Sequence, residues 1–245
     1  MAYKKGDSLI KKNPLFVLAC HMTFYFVIPI AWVLFFCLYR ASIKGRSKIK
    51  TFLKSKKNAR AIIVSNHTTF FDPILTSAAI LPYCMYHTLL EATVCTPVLG
   101  TFIQLLGGMP VPRGKNSTER FTQGIKLALT KRPFVHVYPE GECFVHNQNV
   151  QKFHRGAFLV SKELDIPVIP TATVFKEPIS ILGWKSRRPR AEFHILSPIY
   201  PSEFENEKDF ATFVQNKIQE EINKNGGINT YFKGKMERIG GINAE

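Results

Sequence analysis

The chain has 245 residues, a formal net charge of +15 and a pI near 9.7. A chain of this length buries one large core, so a single catalytic domain with a short appendage is the simplest organisation. The excess of cations indicates a polyanionic partner, which is nucleic acid, a phosphorylated substrate or an anionic membrane surface. No nucleic-acid-binding motif is present, and Phe and Tyr concentrate in apolar segments instead of alternating with basic residues. Composition therefore argues against a nucleic-acid partner.

An apolar segment without a charged residue runs from Leu15 to Tyr39. A bilayer-spanning helix needs about 20 apolar residues, so this segment is long enough to cross a membrane with some tilt. It is too long for a signal-peptide core, and no small-residue cleavage site follows it, so we expect it in the mature protein. Pro29 near its middle also permits two helices within one leaflet. The sequence predicts a membrane segment and leaves a single span and a monotopic hairpin open.

The charges around this segment predict its orientation and its partner. Lys11 and Lys12 precede it, whereas nine lysines and arginines follow between residues 40 and 60. The positive-inside tendency then places the rest of the chain on the cytoplasmic face, at the inner membrane in a bacterium or the endoplasmic reticulum in a eukaryote. Each such cation adds about 1 kcal/mol against anionic headgroups, so the bilayer accounts for the excess charge. Five cysteines without a C-x-x-C pair are typical of a reducing compartment.

Apolar runs typical of buried strands recur along the rest of the chain, with helix-like segments between them. The runs are 61–65, 134–138, 168–174 and 191–196. Asn116 with Glu119 is a capping pair that predicts the start of one helix. This alternation predicts an α/β domain. We place it at residues 58–225, after a membrane segment and basic linker at 1–57 and before a C-terminal tail at 226–245 that we expect to be partly mobile.

The stretch Asn66-His67-Thr68-Thr69-Phe70-Phe71-Asp72-Pro73 places an imidazole and a carboxylate at a strand-to-helix junction. Asp72 before Pro73 predicts a helix start with Asp72 as the N-cap. A neutral histidine can remove a proton from an alcohol, and an aspartate on its other ring nitrogen fixes the tautomer and stabilises the imidazolium. No G-x-S-x-G motif is present, so the activated alcohol would belong to the substrate and acyl transfer would be direct. A structural histidine beside a capping aspartate is the alternative.

Two further segments carry candidate binding groups. Arg113 lies near the end of a glycine- and proline-punctuated stretch, residues 107–114, and a guanidinium is a natural phosphate ligand. A solvated surface arginine is the alternative. Glu140 follows the second buried strand and precedes Gly141, where it could accept hydrogen bonds from a polyol hydroxyl or brace Arg113. The segment Ile166–Pro170 opens another strand and is expected to shape an apolar wall.

In this order and spacing, these segments resemble the four sequence blocks of the glycerolipid acyltransferase family, which includes the 1-acylglycerol-3-phosphate (lysophosphatidic acid) acyltransferases. The block N-H-x-x-x-x-D is matched by residues 66–72, G-x-[IV]-[FP]-[IVL]-x-R by 107–113 with Met109 in third place, [FY]-P-E-G-T-[RCT]-S by 138–144, and V/I-P-[VI]-x-P by 166–170. The run 153–157 is similar to the family's F-K-x-G-A/S. The resemblance covers residues 60–175 and implies a single mixed-sheet domain flanked by helices.

The resemblance implies a membrane-bound O-acyltransferase. His67, held by Asp72, would deprotonate the free hydroxyl of a lysophospholipid, foremost 1-acyl-sn-glycerol-3-phosphate. The hydroxyl oxygen would then attack the thioester of acyl-CoA or acyl carrier protein and yield phosphatidic acid. The substrate-binding residues that it carries over are Arg113 for the acceptor phosphate, Glu140 and Gly141 for the position of the acceptor, and Asn66 and Gly107. It implies no metal and no cofactor beyond the acyl donor.

The third block departs from the family pattern, because Glu142, Cys143 and Phe144 stand where Thr, often Arg, and Ser are usual. A carboxylate beside an acceptor phosphate is repulsive unless it points away or pairs with Arg155 or a lysine. A lysophospholipid with a choline or ethanolamine headgroup would tolerate Glu142 better. The residue types are also compatible with a hydrolase, in which water replaces the alcohol, and with a non-catalytic membrane-anchored lipid-binding protein.

Overall fold

A computed structural model describes Tyr3 and residues 7–181, 184–185 and 188–236. Its strands are Ser42–Lys44 (β1), Ala61–Ser65 (β2), Met85–Leu90 (β3), Gly108–Val111 (β4), Phe134–Val137 (β5), Val168–Lys176 (β6), Ser180–Ile181 (β7), Trp184–Lys185 (β8) and Arg190–Ile195 (β9). Its α-helices are Pro14–Tyr39 (α1), Arg46–Ser55 (α2), Asp72–Ile80 (α3), Glu91–Cys95 (α4), Leu99–Leu105 (α5), Ser117–Lys131 (α6), Gly156–Leu164 (α7) and Glu207–Lys224 (α8), and a 3-10 turn covers Pro201–Glu203.

Seven strands form one mixed sheet in the order β1-β9-β6-β2-β5-β3-β4. The five strands from β6 to β4 in this order are parallel, whereas β9 is antiparallel to β6 and β1 is parallel to β9. This confirms the α/β class and the mixed sheet. The carboxyl ends of β6, β2, β5, β3 and β4 therefore lie along one edge, which is where ligand sites form in such sheets.

Strand β2 is buried on both faces of the sheet, which explains its uninterrupted apolar run. Ile62 and Val64 pack with residues of α6, α7 and α8. Ala61 and Ile63 face the other side, where α2 and α3 cover the sheet. Because both faces are filled, β2 holds its carboxyl end in a fixed position.

Helix α1 is a single helix of 26 residues that continues through Pro29. Its N-cap is Asn13, whose side chain accepts a hydrogen bond from the backbone N–H of Leu15 at 2.9 Å. The helix packs against α3 and α5. Cys20, Phe24, Ile28 and Phe35 form a buried seam along its length, whereas the opposite face exposes large apolar side chains.

The predicted domain boundary at residue 58 is too late, because β1 and α2 belong to the sheet domain. Three cations that the sequence analysis assigned to the lipid surface bind the protein instead. Lys44 forms a 2.7 Å ion pair with Glu192, Arg46 donates to the carbonyl of Ala79 at 3.0 Å, and Lys48 Nζ donates to the carbonyl of Ile195 at 2.9 Å. These contacts fix the start of the domain, so the cations are not a flexible linker.

The C-terminal segment also differs from its prediction as a loose tail. Residues 228–236, which we call the strap, hydrogen-bond to the domain. The backbone N–H of Ile228 donates to the carbonyl of Phe175 at 3.0 Å, and that of Met236 donates to the carbonyl of Cys143 at 2.8 Å. The part of the predicted tail at residues 237–245 lies outside the described residues.

Candidate active site

His67 and Asp72 meet at the carboxyl end of β2, as the sequence predicts. His67 Nδ1 lies 3.0 Å from Asp72 Oδ2. The Asp72 side chain is 1% exposed and that of His67 is 21% exposed, so the carboxylate is enclosed while the imidazole reaches the surface of the site. Because Nδ1 faces Asp72, the Nε2 atom points away from the carboxylate and is the ring nitrogen that can take part in proton transfer.

Asp72 organises the loop that carries His67. Its Oδ2 also accepts hydrogen bonds from the backbone N–H of Thr68 at 2.6 Å and of Thr69 at 2.9 Å, and its Oδ1 accepts from the Thr69 hydroxyl at 2.7 Å and the Thr68 hydroxyl at 3.2 Å. The prediction that Asp72 is the N-cap is wrong: α3 begins at Asp72 itself, with Phe71 as the N-cap. The carboxylate is drawn back into the preceding loop, where it fixes both the loop and the imidazole.

Glu140 supports the histidine from below. Its Oε1 accepts a hydrogen bond from the backbone N–H of His67 at 2.9 Å, and its Oε2 accepts one from the backbone N–H of Gln151 at 3.3 Å. Burial raises the pKa of this carboxyl to about 8. Both oxygens bind backbone, so Glu140 is a positioning residue for His67. Its contact with the acceptor stays a prediction.

Tyr138 packs its ring flat against the imidazole of His67, with the ring centroids 4.0 Å apart and the planes at 17°. The backbone on either side of His67 is held as well. The N–H of Phe144 donates to the carbonyl of His67 at 3.0 Å, and the N–H of His146 donates to the carbonyl of Thr68 at 2.8 Å. The strap in turn holds this segment, since Lys233 N–H donates to the carbonyl of Val145 at 3.0 Å. Sequence reasoning missed the ring contact and the strap.

Asn66 and Gly107, which the family resemblance places among the substrate-binding residues, contact other parts of the protein. Asn66 is buried, and its amide exchanges two hydrogen bonds with the backbone of Thr173, at 2.8 and 3.2 Å. Asn66 thereby joins β2 to β6 where the backbone ladder ends. Gly107 precedes β4 and lies at the opposite edge of the sheet from His67. Its φ is +96°, and a Cβ there would lie 2.5 Å from the guanidinium of Arg132, so Gly107 makes room for that buried side chain.

Arg113 and Gly141 lie at the expected edge of the sheet. Through the pairing of β2 with β5, β5 with β3 and β3 with β4, Gly108 lies in the same row of the sheet as Ile63. Arg113 is five residues beyond Gly108, as Thr68 is five residues beyond Ile63, so the two residues lie at about the same height above the sheet. Arg113 is exposed beyond the end of β4. Gly141, at φ +71°, closes a turn by donating its N–H to the carbonyl of Tyr138 at 3.1 Å. Arg113 is displaced sideways from His67, because β4 and β2 are three strand spacings apart in the sheet, which is about 14 Å at the usual spacing.

The charge of Glu142 is compensated within the protein. Its Oε1 forms an ion pair with Lys235 of the strap at 3.2 Å. Arg155, one of the partners considered from sequence, instead pairs with Glu207 at 3.2 Å. The carboxylate of Glu142 is therefore paired with a cation of the same chain.

A buried chain of polar side chains lies one layer below His67. It runs from Ser77 through His87 and His136 to Ser65 and Thr171 and ends on the carbonyl of Val64. Thr171 donates to that carbonyl, so every earlier hydroxyl and ring must donate in the same direction. His87 is then protonated on Nδ1 and His136 on Nε2, and burial lowers both pKa values, to about 3 for His87. The sequence signal for this hydrogen-bonded row of side chains is the pair of histidines His87 in β3 and His136 in β5, which lie at paired positions.

Known acyltransferases resemble this chain in sequence. The family profile described as Acyltransferase matches residues 40–174, more than half of the chain. The human lysophospholipid acyltransferase LPCAT4 is 26% identical over 167 residues, which are 66% of this chain and 30% of that protein. The 1-acyl-sn-glycerol-3-phosphate acyltransferase of Streptococcus pneumoniae is 24% identical over 165 residues, 66% of this chain and 59% of that protein. The chain thus spans less than two thirds of either relative.

The crystal structure of PlsC, the 1-acyl-sn-glycerophosphate (LPA) acyltransferase of Thermotoga maritima, has the same fold. It superposes with a TM-score of 0.57 over 85% of this chain and 95% of that chain, at 16% sequence identity. The matched profile begins at residue 40, which agrees with the position of β1. With His67 and Asp72 paired at the carboxyl end of β2, the chain belongs to the acyltransferase family.

Proposed function

We propose that the protein transfers a fatty acyl group from acyl-CoA, or acyl carrier protein, to the free hydroxyl of a lysophospholipid. The acceptor is foremost 1-acyl-sn-glycerol-3-phosphate, and the product is then phosphatidic acid. The observation that carries the proposal is the 3.0 Å contact between His67 Nδ1 and Asp72 Oδ2, which leaves Nε2 as the ring nitrogen that can take part in proton transfer. The activities by which the streptococcal and human relatives are named support the same substrate class.

In the proposed reaction, His67 Nε2 takes the proton of the acceptor hydroxyl as its oxygen attacks the thioester carbonyl. The tetrahedral intermediate then expels the thiolate, which takes the proton back from His67. Asp72 remains ionised throughout and stabilises the imidazolium. Tyr138 and Glu140 hold the ring and the backbone of His67, so little reorganisation accompanies the proton transfer.

Arg113 is the proposed ligand of the acceptor phosphate. It lies level with the catalytic loop and about 14 Å to its side by strand spacing, a gap that a glycerol phosphate and two side chains can bridge. The Glu142–Lys235 pair removes the main objection to an anionic headgroup. This supports lysophosphatidate over a choline or ethanolamine lysolipid, which remains the alternative acceptor.

Helix α1 is proposed to attach the domain to the membrane on the cytoplasmic side. Its buried seam runs from Cys20 to Phe35 against the domain, and its outer face exposes apolar side chains such as Leu18, Phe26 and Val33. A helix docked along its length cannot leave the domain to cross the bilayer. The geometry therefore favours a monotopic attachment, in which the outer face of α1 enters one leaflet.

The test is a thiol-release assay on reconstituted full-length protein, with acyl-CoA and a panel of lysophospholipids. We expect CoA release that requires an acceptor and is fastest with lysophosphatidate. His67→Ala should lower the rate by about 10² to 10⁴, because general-base catalysis contributes that much. Asp165→Asn is the control, since Asp165 is exposed at the end of α7 in the left-handed conformation that asparagine tolerates.

Three results would overturn the proposal. Free fatty acid formed without an acceptor would indicate the hydrolase. Equal background release from wild type and His67→Ala, with both CoA and carrier-protein donors, would indicate the non-catalytic lipid-binding protein. A clear preference for lysophosphatidylethanolamine would retain the chemistry and replace the acceptor.

A further inference from the structure

A small cavity lies where the N-terminal half of α1 meets the sheet, and its volume is about 20 Å³. Its lining comes from several parts of the chain and includes Val17 and Cys20 of α1, Gln104 of α5, Tyr86 of β3 and Arg132 before β5. Strands β3 and β5 begin here, whereas the catalytic pair lies where the strands end. The cavity is therefore separate from the proposed acyl-transfer site.

Arg132 brings a positive charge to the wall of this cavity. The residue is 4% exposed. Its Nη1 donates to the carbonyl of Met85 at 2.6 Å, and its guanidinium carbon lies 4.2 Å from the ring centroid of Tyr86. Among the residues that the structure describes, no carboxylate forms an ion pair with it. A buried charge is costly unless an opposite charge accompanies it, so this guanidinium calls for a counter-ion.

Gln104 adds an unpaired polar group to the same wall. It is 7% exposed, and neither its Nε2 nor its Oε1 has a hydrogen-bond partner within the protein. Its backbone is engaged elsewhere, because the carbonyl of Gln104 accepts from Cys20 Sγ at 3.6 Å. A buried amide without a partner is rare in folded proteins, since it loses the hydrogen bonds that it makes in water. The amide therefore offers a donor to whatever occupies the cavity.

Charge and size together indicate the class of ligand. A volume of this size holds a water molecule or one monatomic ion and is too small for a phosphate. Water would bond to the amide of Gln104 but would leave Arg132 without a counter-charge. The described lining contains two cations, Lys11 and Arg132, and no carboxylate. A monatomic anion accepts N–H groups from a guanidinium and an amide together, so it satisfies both side chains.

We propose that this cavity binds one halide ion, chloride in the cell, between the guanidinium of Arg132 and the amide Nε2 of Gln104. The ion would lie between α1 and the starts of β3 and β4, whose residues Tyr86 and Gly108 also line the cavity. It would therefore stabilise the packing of α1 on the domain. The proposal does not depend on acyl transfer at His67, so it can fail or hold independently of the proposed function.

The test is the stability of the full-length protein in detergent micelles as the concentration of sodium chloride rises. Sodium gluconate keeps the ionic strength constant, because gluconate is too large for the cavity. Urea is the denaturant, since guanidinium chloride would itself supply the ligand, and circular dichroism reports unfolding. Above the Kd, each tenfold rise in chloride should multiply the ratio of folded to unfolded protein about tenfold. Sodium bromide should have the same effect.

Gln104→Leu should abolish the dependence of stability on chloride. Because the amide has no partner within the protein, this variant should be at least as stable as the wild type in gluconate alone, which guards against a general folding defect. Gln123→Leu is the matched control and should keep the dependence, since Gln123 is exposed on α6 and lies outside the cavity. Arg132→Met removes the charge and should also abolish the dependence.

Bromide locates the ion directly through its anomalous scattering. Crystals grown in sodium bromide should show a bromide peak between Arg132 and Gln104, and crystals of Gln104→Leu should lack it. Equal chloride dependence in the wild type and in Gln104→Leu would overturn the proposal, because the effect would then be one of salt on the whole surface. Wild-type stability that is independent of chloride, or bromide found only elsewhere, would also overturn it and assign the cavity to water.

Discussion

Replacing Asp72 by asparagine would separate the charge of the carboxylate from its hydrogen-bonding geometry. Oδ2 accepts from three N–H groups, those of the His67 ring and of the Thr68 and Thr69 backbone. Oδ1 accepts from two hydroxyls. An asparagine that keeps its oxygen at the Oδ2 position satisfies all three N–H groups, and its amide then donates to the hydroxyls, which can rotate and accept. The tautomer of His67 is therefore retained.

What the variant loses is the negative charge that stabilises the imidazolium. At about 4 Å and an effective dielectric constant of about 20, two unit charges interact by about 4 kcal/mol. The variant loses this energy only in the state in which His67 carries the transferred proton. The loss therefore raises the activation barrier and corresponds to a decrease of about 10³ in kcat. KM should change little, because Asp72 is buried behind the imidazole and is not expected to touch the substrate.

The assay is acceptor-dependent CoA release at saturating substrate, with His67→Ala and Asp165→Asn measured in parallel and thermal unfolding recorded for each protein. We expect Asp72→Asn to unfold close to the wild-type temperature. A rate within tenfold of wild type would refute the charge argument and reduce Asp72 to an organiser of the loop. Loss of activity together with loss of the folded state would refute the hydrogen-bond exchange.

Three further substitutions test the surroundings of the site. Glu140→Gln should gain stability relative to the wild type as the pH rises from about 5 to 8, by up to about 4 kcal/mol. In this window the raised pKa keeps the wild-type carboxyl protonated in the folded protein, whereas it ionises in the unfolded chain, so the wild type loses stability. Free energies of unfolding measured at about pH 5 and about pH 8 test this expectation. Asn66→Ala should lower the free energy of unfolding by about 1 to 3 kcal/mol, since the buried N–H of Thr173 loses its partner, whereas the carbonyl of Thr173 keeps the hydrogen bond from Gln148 Nε2 at 3.2 Å. Asn66→Asp should not restore both bonds of the asparagine. Gly107→Ala should destabilise the fold through Arg132 while KM for the acceptor stays unchanged in the protein that remains folded.

Each of these expectations has an outcome that contradicts it. A pH-independent difference for Glu140→Gln would mean that the carboxyl titrates near its ordinary value. Normal stability with a raised acceptor KM for Asn66→Ala or Gly107→Ala would return those residues to the substrate site.

The catalytic pair could be predicted because its parts are close in sequence. His67 and Asp72 lie five residues apart, directly after a strand whose burial on both faces is visible in its composition. The roles of Asn66 and Gly107 could not be predicted. Their partners, Thr173 and Arg132, are supplied by distant segments, so a family motif indicates that these residues matter without indicating why.

Charge patterns were the least reliable guide to position. Lysines between α1 and β2 have the composition of a lipid-facing linker, but Lys44 and Lys48 reach β9, which lies almost 150 residues further along the chain. Strands β3 and β4 also escaped prediction, since Met85–Leu90 and Gly108–Val111 carry polar residues or proline and only pairing in the sheet makes them strands. The predicted cap of α6 is absent as well, because Asn116 takes a left-handed conformation without a side-chain cap.

The seam of α1 packs the proposed anchor directly against helices α3 and α5 of the catalytic domain. Under the membrane attachment proposed above, no tether can vary the height of His67 over the leaflet, so the depth at which the outer face of α1 settles also sets the depth of the catalytic base. Acceptors would then be sorted by where their hydroxyl lies along the membrane normal before any headgroup is recognised. Deleting the helix to obtain a soluble domain would expose the apolar surface of α3 and α5 on which it packs. It would also remove both the proposed anchor and the contact that sets the depth of His67 relative to the membrane.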